Sequence, residues 1–149
     1  MILSNAIPGC KKPIAFISNA EKGAMNIHLQ VDCKDSGHSS QPPLGESNIG
    51  ILAKAISRLE ARPFPLHMDT YLNTLRFVAS ELSFPLRVVA SNSWLFKPLL
   101  ARLVLRKKST AALVRTTTAV TILKAGEKIN SIPGVANAFV NHRIHPGDR

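Results

Sequence analysis

Three polar positions stand where this sequence could do chemistry: His38 in the run Gly37-His38-Ser39-Ser40, Asn130 in Asn130-Ser-Ile-Pro133, and Arg143 in Asn141-His-Arg-Ile144. His38 falls on a loop between a strand and a helix, with Gly37 permitting close approach and hydroxyls beside it. Asn130 opens the last strand and Arg143 closes it. Each alone reads equally as a loop histidine, a turn asparagine or a surface arginine; only the combination points to a site. No complete catalytic set surrounds them. A metal-dependent hydrolase needs clustered His, Asp and Glu ligands. Of the histidines His28, His38, His67, His142 and His145, only the last two are close in sequence. An odd spacing along a strand sends that pair to opposite faces, so no metal is expected on this chain by itself. The sequence also has no Gly-x-Ser-x-Gly elbow, no cysteine in an activated setting and no glycine-rich phosphate loop.

The elements that must hold these residues follow from periodicity. Met25, Ile27, Leu29 and Val31 alternate with Asn26, His28, Gln30 and Asp32, which predicts a half-buried strand over 23–32. Ile14 to Ile17 reads as a short separate strand. From Asp35 to Pro43 a loop is expected, since prolines and glycine disfavour helix there. Ile49, Leu52, Ala53, Ile56 and Leu59 recur at helical spacing from Ser47 to Ala61, and Pro63 and Pro65 end that helix. Asp69 is placed to cap a second helical pattern through Leu72, Leu75, Val78 and Leu82. Pro85 opens a third, from Val89 to Val104, with Pro98 interrupting it.

Strand pattern resumes at Arg115 with β-branched residues through Ile122, and a last strand is expected from Val135 to Ile144. With 63–113 set aside as an insertion, the order is strand, helix, strand, strand. The expected fold class is α+β: an incomplete ferredoxin-like β-α-β-β layer whose second helix and last strand are missing, because the chain ends at Arg149. Such a sheet exposes apolar surface and an open edge, so marginal stability as a monomer is expected.

Composition narrows the partners. Hydrophobic residues make up 45% of the 149 and charged residues 19%, enough for a real core and too apolar for disorder. A net charge of +10 raises the question of nucleic acid, but the basic residues are scattered and aromatics reach only 5%, with no stacking platform. No nucleic-acid partner is expected. The densest basic cluster, Arg102, Arg106, Lys107 and Lys108, closes an apolar stretch and suits a solvated face or acidic lipid headgroups. No apolar run approaches the roughly 20 residues that span a bilayer. Residues 1–9 lack the basic region and long apolar core of a signal peptide, and the compartment stays unassigned. Cys10 and Cys33 stand far apart and read as ordinary thiols.

Several segments together carry a resemblance. They are Glu21-Lys-Gly-Ala-Met-Asn-Ile-His-Leu-Gln-Val31, Gly37-His-Ser-Ser-Gln-Pro-Pro43, Ser47 to Glu60, Leu113-Val-Arg-Thr-Thr-Thr-Ala-Val-Thr121, Asn130-Ser-Ile-Pro133 and Asn141-His-Arg-Ile-His-Pro-Gly147. The chain resembles the N-fatty-acyl-amino-acid synthase/hydrolase group, with carboxypeptidase S as a relative, in the dizinc aminoacylase and carboxypeptidase superfamily. The likeness extends through the insertion, at Phe84-Pro85 and Asn92-Ser-Trp-Leu-Phe-Lys-Pro98. It implies that residues 1–19 are a remnant of the zinc-binding catalytic domain. Residues 20–149 would then be the lid, or dimerisation, domain, cut at its C-terminus. The family's zinc ligands, an upstream His-x-Asp segment, a Glu-Glu pair, a later Asp and a distal His, have no counterpart here. Within the lid, Asp35-Ser36 replaces a pair that relatives often begin with Thr, and His142 replaces an aromatic residue.

By that resemblance the full-length protein uses zinc to hydrolyse the amide of an N-acyl amino acid, while this chain alone is expected to be inactive. His38 takes the role of the donor to the tetrahedral oxyanion. Asn130 and Arg143 take those of holding the substrate carboxylate, for which a guanidinium fork is suited. Thirteen residues separate Asn130 from Arg143 in the sequence. As extended chain they span up to roughly 40 Å, too far for one pocket in one lid. A homodimer resolves this: His38 and Asn130 reach the partner's active site and Arg143 serves its own. The insertion suits an acyl channel or contact with a membrane surface, and equally a plain helical excursion covering the sheet. Two other readings stand beside the lid: a non-enzymatic interaction module and a basic peripheral-membrane protein.

Overall fold

The alternating run after Lys22 forms the long strand that its period of two requires. In the computed structural model, residues 2–3, 12–15, 17–18, 20–32 and 36–148 are described. Cys10 and Cys33, for which ordinary thiols were expected, lie outside them. Helices and strands are mixed, as in an α+β protein. The chain divides into two units, one made of Lys22–Phe64 and Thr116–Ile144, the other of Met1–Glu21, Pro65–Arg115 and His145–Arg149.

The first of these is built on a three-stranded antiparallel sheet. Strands β1 (Ile2–Leu3) and β2 (Ile14–Ala15) belong to the other unit, so the sheet begins with β3 (Gly23–Asp32). A two-residue strand, β4 (Gly37–His38), and helix α1 (Asn48–Ala61) follow. The unit closes with β5 (Thr117–Ala125), β6 (Ser131–Ile132) and β7 (Val135–Ile144). β7 lies between β3 and β5, antiparallel to both, in a register that runs from Gly23↔Ile144 to Asp32↔Val135. The flanking strands are therefore parallel to each other, and the chain between them contains β4, α1 and residues 65–115. An irregularity between Val120 and Ile122 shifts the β5 register by one residue.

Helix α1 starts where Ser47 accepts a hydrogen bond from the Gly50 amide at 3.1 Å. Its apolar stripe puts Leu52, 1% exposed, onto Ala136 and Ala138, both fully buried. Two alanines on alternate positions of β7 let the helix approach closely, and Leu29, Val31, Ile56 and Val120 close the cluster. On β7 the even-numbered residues 136–142 are buried and the odd ones face the other way. His142 therefore points inward. It is 3% exposed, bonded through Nδ1 to Thr118 Oγ1 at 3.0 Å and set edge-on to Phe64.

The second unit is helical. It contains α2 (Asp69–Val78) running into a 3-10 turn, α3 (Leu86–Ser91), α4 (Lys97–Leu105) and α5 (Lys108–Leu113), beside the β1–β2 pair. Met68, Leu72, Leu100, Val104 and Val114 form its main core, and Ala79, Leu82 and Ala90 a smaller one. Two sequence expectations change here. Asp69 makes no capping bond and lies inside the first turn, where a carboxylate favours the positive end of the helix dipole. Pro98 starts α4 instead of interrupting a helix, since the first turn needs no amide hydrogen from it. His67 pairs with Asp148 at 2.5 Å and stacks on His145 with ring centroids 4.7 Å apart.

Candidate functional site

The loop expected between the first long strand and α1 is partly a strand. Gly37 pairs with Ile132 and His38 with Ser131, and the Ser39 amide donates to the Asn130 carbonyl at 3.0 Å. This small β4–β6 ribbon brings His38 and Asn130 to one place, although 92 positions separate them in the sequence. Sequence periodicity could not show it, because two-residue strands have no period.

Asn48 anchors the ribbon, and sequence reasoning missed it. Its side-chain amide donates to the Pro133 carbonyl at 3.1 Å and the Gly134 carbonyl at 2.7 Å, and the residue is 3% exposed. One signal was available: Asn48, Leu52 and Ile56 share one helix face, so a polar residue heads an apolar stripe and needs partners when buried. Gly134 adds a close approach, since a Cβ there would sit 3.3 Å from Ser36 Cβ. Gly37 is different: a Cβ would meet nothing within 4 Å among the described residues, so none of these neighbours demands glycine there. Asn48→Ala is expected to lower stability by about 1–3 kcal/mol, because two carbonyls lose their donor. Urea denaturation measures that cost, and amide shifts at Ser39 and Ser131 report the loosened ribbon.

His38 is held by a tight turn in which the Gln41 amide donates to its carbonyl at 3.0 Å. The Ser40 amide donates to His38 Nδ1 at 3.2 Å, and Ser40 Oγ lies 2.8 Å from the same nitrogen. An amide hydrogen can only be accepted by a lone pair. With Nδ1 accepting that amide, the neutral ring carries its proton on Nε2, which makes that nitrogen a hydrogen-bond donor. Ser36, Gly37, His38, Lys128, Asn130 and Ser131 line an open cleft of about 400 Å³. Its side chains offer donors, a cation and hydroxyls, and none of these described residues is acidic.

Arg143 is not brought to the cleft. It sits on the exposed face of β7, opposite Ala24 and Thr117, while β6 leads into the other end of that strand. From Val135 to Arg143 the strand rises about 27 Å. The face carrying Arg143 is polar and aromatic: His28 stacks on Phe139 at 4.4 Å, and Asn141 donates to Asn26 Oδ1 at 2.7 Å. Among the described residues no group of three or more His, Cys, Asp or Glu side chains is arranged to hold a metal. No helix among them is long and apolar enough to cross a membrane.

The structure is thus a mixed α+β protein with a donor-lined cleft. Residues 19–149 match the M20 peptidase dimerisation domain, and the chain belongs to that family. It is 53% identical over 148 residues to the N-fatty-acyl-amino acid synthase/hydrolase PM20D1 of Homo sapiens, covering 98% of this chain and 29% of that protein. A probable carboxypeptidase S-like protein of Dictyostelium discoideum is 47% identical over 149 residues, covering 99% of this chain and 28% of its own. Carboxypeptidase S of Saccharomyces cerevisiae is 32% identical over 141 residues, covering 89% and 24%. The chain therefore spans less than a third of the length of these relatives.

Proposed function

We propose that this chain is the lid and homodimerisation domain of a zinc-dependent amidohydrolase that hydrolyses N-acyl amino acids and also runs the reaction toward synthesis. The observation that carries the reading is the pairing of β4 with β6, which sets the His38 donor beside Asn130 in one cleft. The described residues do not fit a zinc site, so the metal's ligands are assigned outside them and this chain's part is donation and binding. His38 Nε2–H donates to the oxyanion that develops on the scissile amide carbonyl. Asn130 and the Arg143 guanidinium hold the substrate carboxylate.

Strand order and the parallel β3–β5 relation support reading the sheet as the front of a ferredoxin-like lid. In this reading residues 1–19 continue the catalytic domain, and 63–113 are an insertion in the lid. Because His38 pairs with β6, which leads into the Val135 end of β7, and Arg143 lies near the other end of that strand, one active site draws His38 and Asn130 from one protomer and Arg143 from the other. One observation favours a second role for the insertion, contact with acidic lipid. On α4, Leu99 and Leu103 are 51% and 47% exposed, one turn apart and next to Arg102 and Arg106.

The test is a chimera in which this chain replaces the matching segment of the human relative. It is expected to dimerise, to bind zinc and to release free amino acid from long-chain N-acyl amino acids. A folded, zinc-loaded, dimeric chimera with no turnover overturns the reading.

A further inference from the structure

We infer that Lys128 is a substrate-binding residue of the His38 cleft, pairing its ammonium with the carboxylate of an N-acyl amino acid. The inference rests on the amidohydrolase reading and adds a residue to it. Lys128 lines the same cleft as His38, Asn130 and Ser131, and it supplies the full positive charge in that lining. The Ser131 amide donates to the Lys128 carbonyl at 3.2 Å, which fixes the turn that carries both residues, and Ser131 pairs across the ribbon with His38. The ion pairs found among the described residues engage other cations and leave Lys128 with no carboxylate. Glu127, its neighbour in sequence, does not line the cleft.

The cleft thus presents an ammonium, an imidazole N–H, an amide and hydroxyls, with no acid among the described residues to neutralise them. A ligand that fits is rich in acceptors and negatively charged. Two anions are available in an N-acyl amino acid reaction: the oxyanion that forms transiently and the carboxylate that is present throughout. A lysine is a point charge on a flexible stem, suited to holding a persistent charge rather than to defining one oxygen's position. Its place two residues before Asn130 puts it with the carboxylate group. A contact made equally in ground and transition states raises affinity and leaves the chemical step alone, so its loss appears in KM.

Lys128→Met and Lys128→Arg in the chimera, assayed on an N-acyl amino acid and on the same compound with its carboxylate capped as a primary amide, separate the alternatives. Lys128→Met is expected to raise KM for the acid by about tenfold, with kcat within about twofold and no change for the capped amide. Lys128→Arg retains most of the affinity. An unchanged KM for the acid, equal losses on both substrates, or a fall in kcat alone overturns the assignment. If the unmutated chimera has no turnover, the amidohydrolase reading fails, and the Lys128 contact is then read on the 149-residue chain by titration with N-octanoylglycine. Saturable shifts of the His38 ring and Ser131 amide, lost in Lys128→Met, support the contact. Their absence in the unmutated chain overturns it.

Discussion

His38→Ala in the chimera is expected to lower kcat on N-acyl amino acids by about 100- to 1000-fold with little change in KM, the cost of removing one oxyanion donor. The structure gives this expectation its direction. Nδ1 is occupied by the Ser40 amide, so the ring offers Nε2–H to a ligand and is not set up to receive a proton there. His38→Gln, whose amide still donates, should recover part of the loss. Arg143→Ala should raise KM, because the guanidinium holds a carboxylate that is present before and after the reaction.

The two variants combine into a test of how the site is shared. In a mixed dimer of His38→Ala and Arg143→Ala protomers, the first keeps its own Arg143 and receives His38 from the second. One intact site results. With equal co-expression half of the randomly paired dimers are mixed, so at substrate well below KM, where sites lacking Arg143 contribute little, about a quarter of the unmutated activity should return. If both residues serve the protomer that carries them, no site is intact in any dimer and activity stays at the level of the single variants. The Arg143 position makes the distinction physical: about 27 Å of strand lies between it and the residues that lead to the cleft.

How much of this was legible in the sequence depends on the kind of element. The strands at 23–32 and 135–144 and helix α1 carry strong periodicity, because each buries one face against the same small core, and their bounds are close to those read from the pattern. The β4–β6 ribbon was illegible, since its partners are distant in sequence and each too short to alternate. The helical segment was legible as helical but not in where it breaks: the pattern opened by Pro85 and interrupted at Pro98 is α3, a turn and α4, so the break falls before Pro98, which lies in the first turn of α4. His38, Asn130 and Arg143 stood out through a resemblance. Lys128 and Asn48 did not, because a surface lysine and a first-turn asparagine have ordinary roles until their neighbours are known.

Leu52→Ala is the substitution expected to cost most in stability, about 3–4 kcal/mol. The side chain is 1% exposed, and the groups beneath it are the alanines 136 and 138, too small to move into the space it leaves. Ile56 and Val120 pack against the same cluster from a helix and a strand, elements that relax only in part around a lost side chain. The consequence reaches the cleft through α1. Its first turn holds Asn48, whose two bonds fix Pro133 and Gly134, and those residues join β6 to β7. Weakening the helix–sheet contact therefore weakens the ribbon that carries His38 and Asn130. Hydrogen exchange should accelerate first at the β4 and β6 amides and then along β7, and urea midpoints should fall in the same variant. Leu52→Met, which keeps the volume, should cost less than about 1.5 kcal/mol and leave the ribbon protected. Protection of β4 and β6 unchanged in Leu52→Ala, despite the loss of stability, would show that the ribbon is held independently of the Leu52 contact between helix and sheet.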